Sequence, residues 1–338
     1  MTTPPPSARN PLRVVHFQRK PTCGHFSVES HFADVRNLIS PRVEVDLCVM
    51  PCLSRGVLPR IHNMISAWQH QGDVNHIVGD IHYATTLLDP SKTILTVLDC
   101  DMLHRTRGLR RALLKLFWFT LPSKRTAAIT VISEATRREL LEHIDYPPQR
   151  IHVVPVFISK DFRYAPHRFD VECPTILQIG TRHNKNLERL ILAVDGLQCQ
   201  LAIVGILTDE QRRLLAQTHV RFQNYSNLTA AELMRLYEQS DLLCFASTLE
   251  GFGMPILEAQ AVGRPVVTSN CSSMPEVAGQ GALFVDPLSV GDIRSAIQRV
   301  ISDASLREEL IARGLVNAER YSSTRIAEQY CRLYESVI

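Results

Sequence analysis

Residues 247–270 read STLEGFGMPILEAQAVGRPVVTSN and follow directly on the apolar run DLLCFAS, Asp241–Ser247. An apolar run, a glycine-bearing loop, a helical stretch and a second apolar run, PVVTSN, make one turn of a strand–helix–strand unit. Gly251 and Gly253 let the chain turn tightly and bring its backbone close to a ligand. Pro255 suits the first turn of the helix. The start of that helix points free N–H groups outward, an arrangement that suits a diphosphate. Glu250 lies on the loop and Glu258 in the first or second helical turn. Both sit at the C-terminal end of a strand, where open α/β sheets bind ligands. Two carboxylates there can accept hydrogen bonds from sugar hydroxyls.

The same alternation runs outward in both directions. Upstream, strands are predicted from Leu12, Val43, Val74, Thr93, Ala127 and Ile151; downstream, from Thr175, Cys199, Val220, Asp241, Pro265 and Ala282. They read as apolar on both faces, as strands covered by helices do. Ser133 can cap the helix that follows it, and Thr229 with Glu232 forms a capping box. The irregular stretch Phe157–Pro174 separates six strands from six. The expectation is two doubly wound domains, residues 12–165 and 172–317, with a ligand cleft between them. A helix within 318–338 can pack back on the first domain, and residues 1–11 form a Pro-rich disordered tail.

Composition narrows the class. The chain has 338 residues, 45% hydrophobic and 21% charged, an ordinary globular balance. A net charge of +3 excludes nucleic acid as the main partner. No apolar run is long enough to span a membrane, and the N-terminus lacks a secretory signal core. Nine cysteines without CxxC spacing read as reduced thiols of a cytoplasmic protein.

A second segment points the same way. GTRHNKNLERLILA, Gly180–Ala193, follows a strand and places Arg182 and Lys185 in its C-terminal loop. Two cations there can neutralise a diphosphate as its charge develops.

On these residues the chain resembles the retaining glycosyltransferases of family 4. Their signature has two glutamates separated by seven residues, as Glu250 and Glu258 are, and a Lys-Asn-Leu matched by Lys185, Asn186 and Leu187. The resemblance implies a GT-B fold, two Rossmann-like parallel-sheet domains facing across a cleft. It implies that Glu250 contacts the donor sugar and Glu258 the ribose, while Phe252, Gly253 and Met254 offer backbone N–H groups. Arg182 and Lys185 would stabilise the leaving group. The base is expected near Asn224–Leu228. Glu276 reads as structural. Gly24, in the loop after the first strand, either approaches the donor phosphates or lies in an ordinary connection.

One position departs from the pattern. The family commonly has His-Asp at the end of the fourth strand; here Leu98 precedes Asp99, and leucine cannot hydrogen-bond a hydroxyl. His82 or His104 could substitute, or be ordinary core or surface histidines. The basic, aromatic stretch Arg105–Arg125 reads as either a contact with an anionic membrane or lipid-linked acceptor, or a packed helix with a solvated face.

The resulting expectation is a metal-independent hexosyltransferase. It would move sugar from a UDP- or GDP-linked donor to a glycan, lipid-linked or small-molecule hydroxyl, with cell-surface polysaccharide synthesis on the cytoplasmic side of the membrane as the setting. A nucleotide-sugar epimerase of the same fold and a non-catalytic binding member, which Leu98 favours, are the alternatives. A dehydrogenase is excluded because no strand leads into G-x-G-x-x-G.

Overall fold

The structure, a computed structural model, describes residues 11–21, 27–39 and 43–338. The expected tail and Gly24 lie outside the described residues. Twelve strands form two six-stranded sheets in which all pairs are parallel.

The first unit comprises residues 1–155 and 323–338. Its strands are β1 Leu12–Gln18, β2 Val43–Val49, β3 Val74–Val78, β4 Thr93–Val97, β5 Ala128–Val131 and β6 Ile151–Val153, in the order β2-β1-β3-β4-β5-β6. β3, β4 and β5 are buried along their length, because β-branched and apolar side chains are covered on both faces. β2 is an edge strand and half exposed, contrary to the expectation of burial on both faces.

A buried polar chain crosses the centre of this sheet. Tyr334, on the C-terminal helix Ser323–Ser336, places its hydroxyl 2.8 Å from His16 Nε2 and 2.8 Å from His76 Nδ1. His76 Nε2 lies 2.7 Å from Thr96 Oγ1, itself 2.7 Å from Thr130 Oγ1. Arg36, which can only donate, reaches His16 Nδ1 at 3.5 Å. With both imidazoles neutral, these distances accommodate a single directed chain: His16 donates to Tyr334, Tyr334 to His76, His76 to Thr96 and Thr96 to Thr130. Burial pushes His76 down to about 3 and His16 well below its ordinary value, with His76, Arg36 and His31 adding repulsion at His16.

The second unit is residues 156–322. The irregular stretch after Phe157 is part of it and not a free linker. Phe157 and Ile158 are buried, Ile158 N–H donates to the Tyr321 carbonyl, Ala165 N–H to that of Val262, and Arg307 stacks on Phe169. Its strands are β7 Thr175–Ile179, β8 Gln200–Val204, β9 Arg221–Tyr225, β10 Leu242–Phe245, β11 Val266–Ser269 and β12 Leu283–Val285, in the order β12-β11-β10-β7-β8-β9. β9 is the exposed edge and departs from the expected two-sided burial. Both capped helices form as predicted: Ser133 Oγ accepts from Thr136 N–H at 3.0 Å, and Thr229 with Glu232 closes a capping box. A second box, Thr208 with Gln211, was not read from the sequence.

Candidate functional site

Strand order locates the crevice. β7 and β10 are neighbours, but the chain leaves β7 toward β8 on one side and β10 toward β11 on the other. The two following loops diverge and leave a gap at the strands' C-terminal ends, where doubly wound sheets hold ligands. Arg182 and Lys185 lie on the first loop; Glu250, Phe252 and Gly253 lie on the second; Met254 and Glu258 lie on the helix Met254–Val262 that leaves it.

Lys185 is bent back over Gly180. Gly180 has φ +90°, and a Cβ there would come within 2.9 Å of Lys185 Cγ, so only glycine leaves room. Nζ then lies 2.6 Å from Glu250 Oε1 and 4.6 Å from the centre of the Phe245 ring. Asn184 Nδ2 donates to the Leu249 carbonyl at 2.9 Å and to Glu250 Oε1 at 3.3 Å. Asn186 is buried with φ 59°. Its amide donates to the carbonyls of Ala246 and Pro287, and its oxygen accepts from Arg189. One side chain thus ties together the loops after β7, β10 and β12.

The glutamate loop is held from behind by serines. Ser272 Oγ lies 3.1 Å from Glu250 N and 2.7 Å from its carbonyl oxygen; Ser273 Oγ lies 2.9 Å from the Glu250 carbonyl and 2.6 Å from that of Phe252. Gly253, φ +109°, occupies the helix N-cap, so no side chain caps this end. Its N–H groups and positive dipole end face the loop. The Phe252 side chain is buried edge-on against Tyr321, 5.7 Å between centres, which leaves its backbone as the part available at the loop.

Glu258 is anchored by a residue the sequence reading missed. Tyr237, on the helix Ala230–Gln239, donates to Glu258 Oε2 at 2.6 Å. Burial raises the Glu258 carboxyl, while the Tyr237 hydroxyl and the Lys185 charge pull it back. Burial, with Glu258 adding, pushes the Tyr237 phenol well above its ordinary value, so the phenol stays a donor. Arg264 fixes the two helices together: buried, it donates to the carbonyls of Tyr237, Glu238, Val262, Gly263 and Ala165. The signals for Tyr237, Arg264 and the serines are only long-range contacts, which spacing along the chain does not reveal.

Other candidates fall elsewhere. Arg182 is exposed and makes no ion pair among the described residues. Asn224 lies within β9 and donates to the carbonyls of Ile203 and Gly205 at the end of β8. Glu276 offers its carbonyl to Tyr321. In the first unit, the Leu98 carbonyl is 3.5 Å from Thr136 Oγ1. The Asp99 carboxyl is pushed up to about 6, chiefly by desolvation, with the Asp101 N–H opposing and nearby Asp80, Asp101 and Glu139 adding. His82 is buried, donates to the Trp118 carbonyl and packs on Phe119; His104 pairs with Glu139. Among the described residues, no group of three or more His, Cys, Asp or Glu side chains is placed to hold a metal ion, and no helix is long and apolar enough to cross a membrane.

Solved structures share this architecture end to end. A glycosyltransferase from Rickettsia africae superposes with a TM-score of 0.76 at 15% identity, covering 97% of this chain and 99% of that one. HepE from Anabaena, in complex with UDP-glucose, gives 0.74 at 15% identity over 96% and 100%. The fold is therefore GT-B, two Rossmann-like units each built on a parallel sheet. Residues 160–315 match the glycosyl transferases group 1 family. O-antigen chain mannosyltransferase B of Escherichia coli is 31% identical over 233 residues, 61% of this chain and 60% of that protein. The chain thus spans about 60% of the length of that curated relative.

Proposed function

We propose that the chain is a retaining glycosyltransferase that moves a hexose from a UDP- or GDP-linked donor to a hydroxyl acceptor. The observation that carries this is the convergence of Lys185, Glu250, Glu258 and an uncapped helix start on one switch-point crevice. The relative named a mannosyltransferase and the neighbour crystallised with UDP-glucose support the donor class.

In this reading the diphosphate rests against the Met254 helix start and the Lys185 ammonium, with exposed Arg182 closing over it. Glu258, oriented by Tyr237, accepts from the ribose hydroxyls. Glu250 releases part of its hold on Lys185 and takes sugar hydroxyls. The acceptor oxygen bonds to the anomeric carbon on the face that the diphosphate leaves. The C–O bond breaks with its electron pair on the leaving oxygen, which takes the acceptor proton. No side chain needs to act as nucleophile; the protein positions the reactants and stabilises charge. Because Lys185, Arg182 and the helix dipole supply positive charge, we infer metal independence, and chelator should leave the rate unchanged.

The test is to incubate the protein with UDP-glucose or GDP-mannose, with and without an acceptor panel, following nucleoside diphosphate release and product configuration by NMR. Acceptor-dependent release with a retained anomeric centre is the expected result. Release or epimerisation without acceptor would assign an epimerase. Binding without any turnover would assign the non-catalytic reading, which Leu98 favours.

A further inference from the structure

Two cavities of the first unit adjoin at its edge strand β6 and share His152 and Ser336. The first, about 570 Å³, is walled by β6, the start of the helix Glu134–His143 and the C-terminal helix Ser323–Ser336. The second, about 720 Å³, is bounded by Pro90, Lys124, Thr126 and Arg150. Each has the size of a small-molecule site. Neither involves the crevice between β7 and β10.

Charge sets the chemistry of what would fill them. The chain as a whole nearly balances its charges, 37 Lys and Arg against 34 Asp and Glu. The cavity walls do not: Lys124, Arg137, Arg150 and Arg332 stand against Glu134 alone. That carboxylate is engaged by Arg137, whose Nη1 lies 3.3 Å from Glu134 Oε2. Lys124, Arg150 and Arg332 make no side-chain hydrogen bond or ion pair among the described residues.

Uncharged groups of the first cavity are also unanswered. Arg137 Nη2 donates to the Pro148 carbonyl at 2.9 Å, but Arg137 Nε and Gln329 Oε1 are buried without a hydrogen-bond partner. Buried polar atoms are seldom left so. Burial, with the Arg137 charge adding, holds His152 below its ordinary value, so the ring is neutral at pH 7 and can donate from one nitrogen. Val154 N–H turns inward to the Val131 carbonyl; strand alternation therefore turns the Val153 N–H to the free edge. Each cavity thus brings cations of its own, Arg137 and Arg332 in the first, Lys124 and Arg150 in the second, with His152 between. That pattern fits a ligand with an anionic group at each end. A neutral sugar would leave both sets of cations unpaired.

We propose that this groove binds a small phosphorylated molecule bearing two anionic groups, and that the bound molecule clamps the C-terminal helix against β6. The inference does not rest on the donor site. The probes are fructose 1,6-bisphosphate and glucose 6-phosphate, titrated calorimetrically into the full chain. The bisphosphate is expected to bind saturably and at least about tenfold more tightly than the monophosphate, since it meets both sets of cations. Arg332→Ala and Arg150→Ala, one in each cavity, should each weaken the bisphosphate about tenfold or more. Lys185→Ala, in the donor crevice, should leave it unchanged. Bisphosphate should also slow amide hydrogen exchange within Ser323–Ser336, and circular-dichroism melts without ligand should show that the exposed substitutions keep the fold. No binding of the bisphosphate, equal affinity for the two probes, or binding lost in Lys185→Ala but kept in Arg332→Ala and Arg150→Ala would overturn the proposal.

Discussion

Asn186 shows how much of the site hangs on one side chain. Its left-handed backbone and three hydrogen bonds set the loops after β7, β10 and β12 against one another. Asn186→Ala strands two carbonyls and keeps a strained φ, so it should cost about 2–4 kcal/mol in urea unfolding. Tyr237→Phe tests the other anchor. It removes a hydrogen bond to a charged group and should weaken donor affinity about tenfold, some 1.4 kcal/mol, by calorimetry. The same substitution lets the Glu258 carboxyl rise further. Donor binding should then fail at a higher pH on acidification than in the unaltered protein. Glu250, Glu258 and Lys185 were legible in the sequence because each sits at a fixed offset from a glycine turn or a strand end. Tyr237, Asn184 and Ser273 were not legible as site residues, since what recruits them is contact across 21, 66 and 21 residues, respectively.

At the scale of elements, caps and strand order matter more than individual contacts. Thr229 satisfies an N–H at the start of the helix carrying Tyr237, so Thr229→Ala should cost about 1 kcal/mol in thermal unfolding of the second unit. All twelve strands were legible because their apolar runs are short and bounded by turn residues. Their order was not. Which strands become edges depends on crossover choice, and this is why β2 came out half exposed and β9 exposed where two-sided burial was expected. The reversal between β7 and β10, which creates the crevice, is likewise a property of pairing and not of local spacing. The unit boundary was misplaced for the same reason: nothing periodic in Phe157–Ala165 announces that it packs on the second unit.

At the scale of the whole molecule, pH dependence and donor binding probe separate parts of the chain. His16 and His76 are neutral in the first unit, with His76 pushed down to about 3, while unfolded histidine titrates near 6.5. The unfolded chain therefore binds more protons between these values. The stability these residues provide is complete above about pH 6.5 and is lost as pH falls toward about 3, with a slope near 1.4 kcal/mol per pH unit for each histidine. Urea midpoints measured across that window should show it, and His76→Gln should flatten the slope. The central claim, that the β7/β10 crevice holds a nucleoside diphosphate sugar, is tested most directly by calorimetric titration of UDP-glucose and GDP-mannose into the intact protein and Glu258→Ala. Saturable binding of one donor is expected, weakened at least about thirtyfold, or some 2 kcal/mol, by the substitution. Binding unchanged in Glu258→Ala, or no binding of either donor, would contradict it.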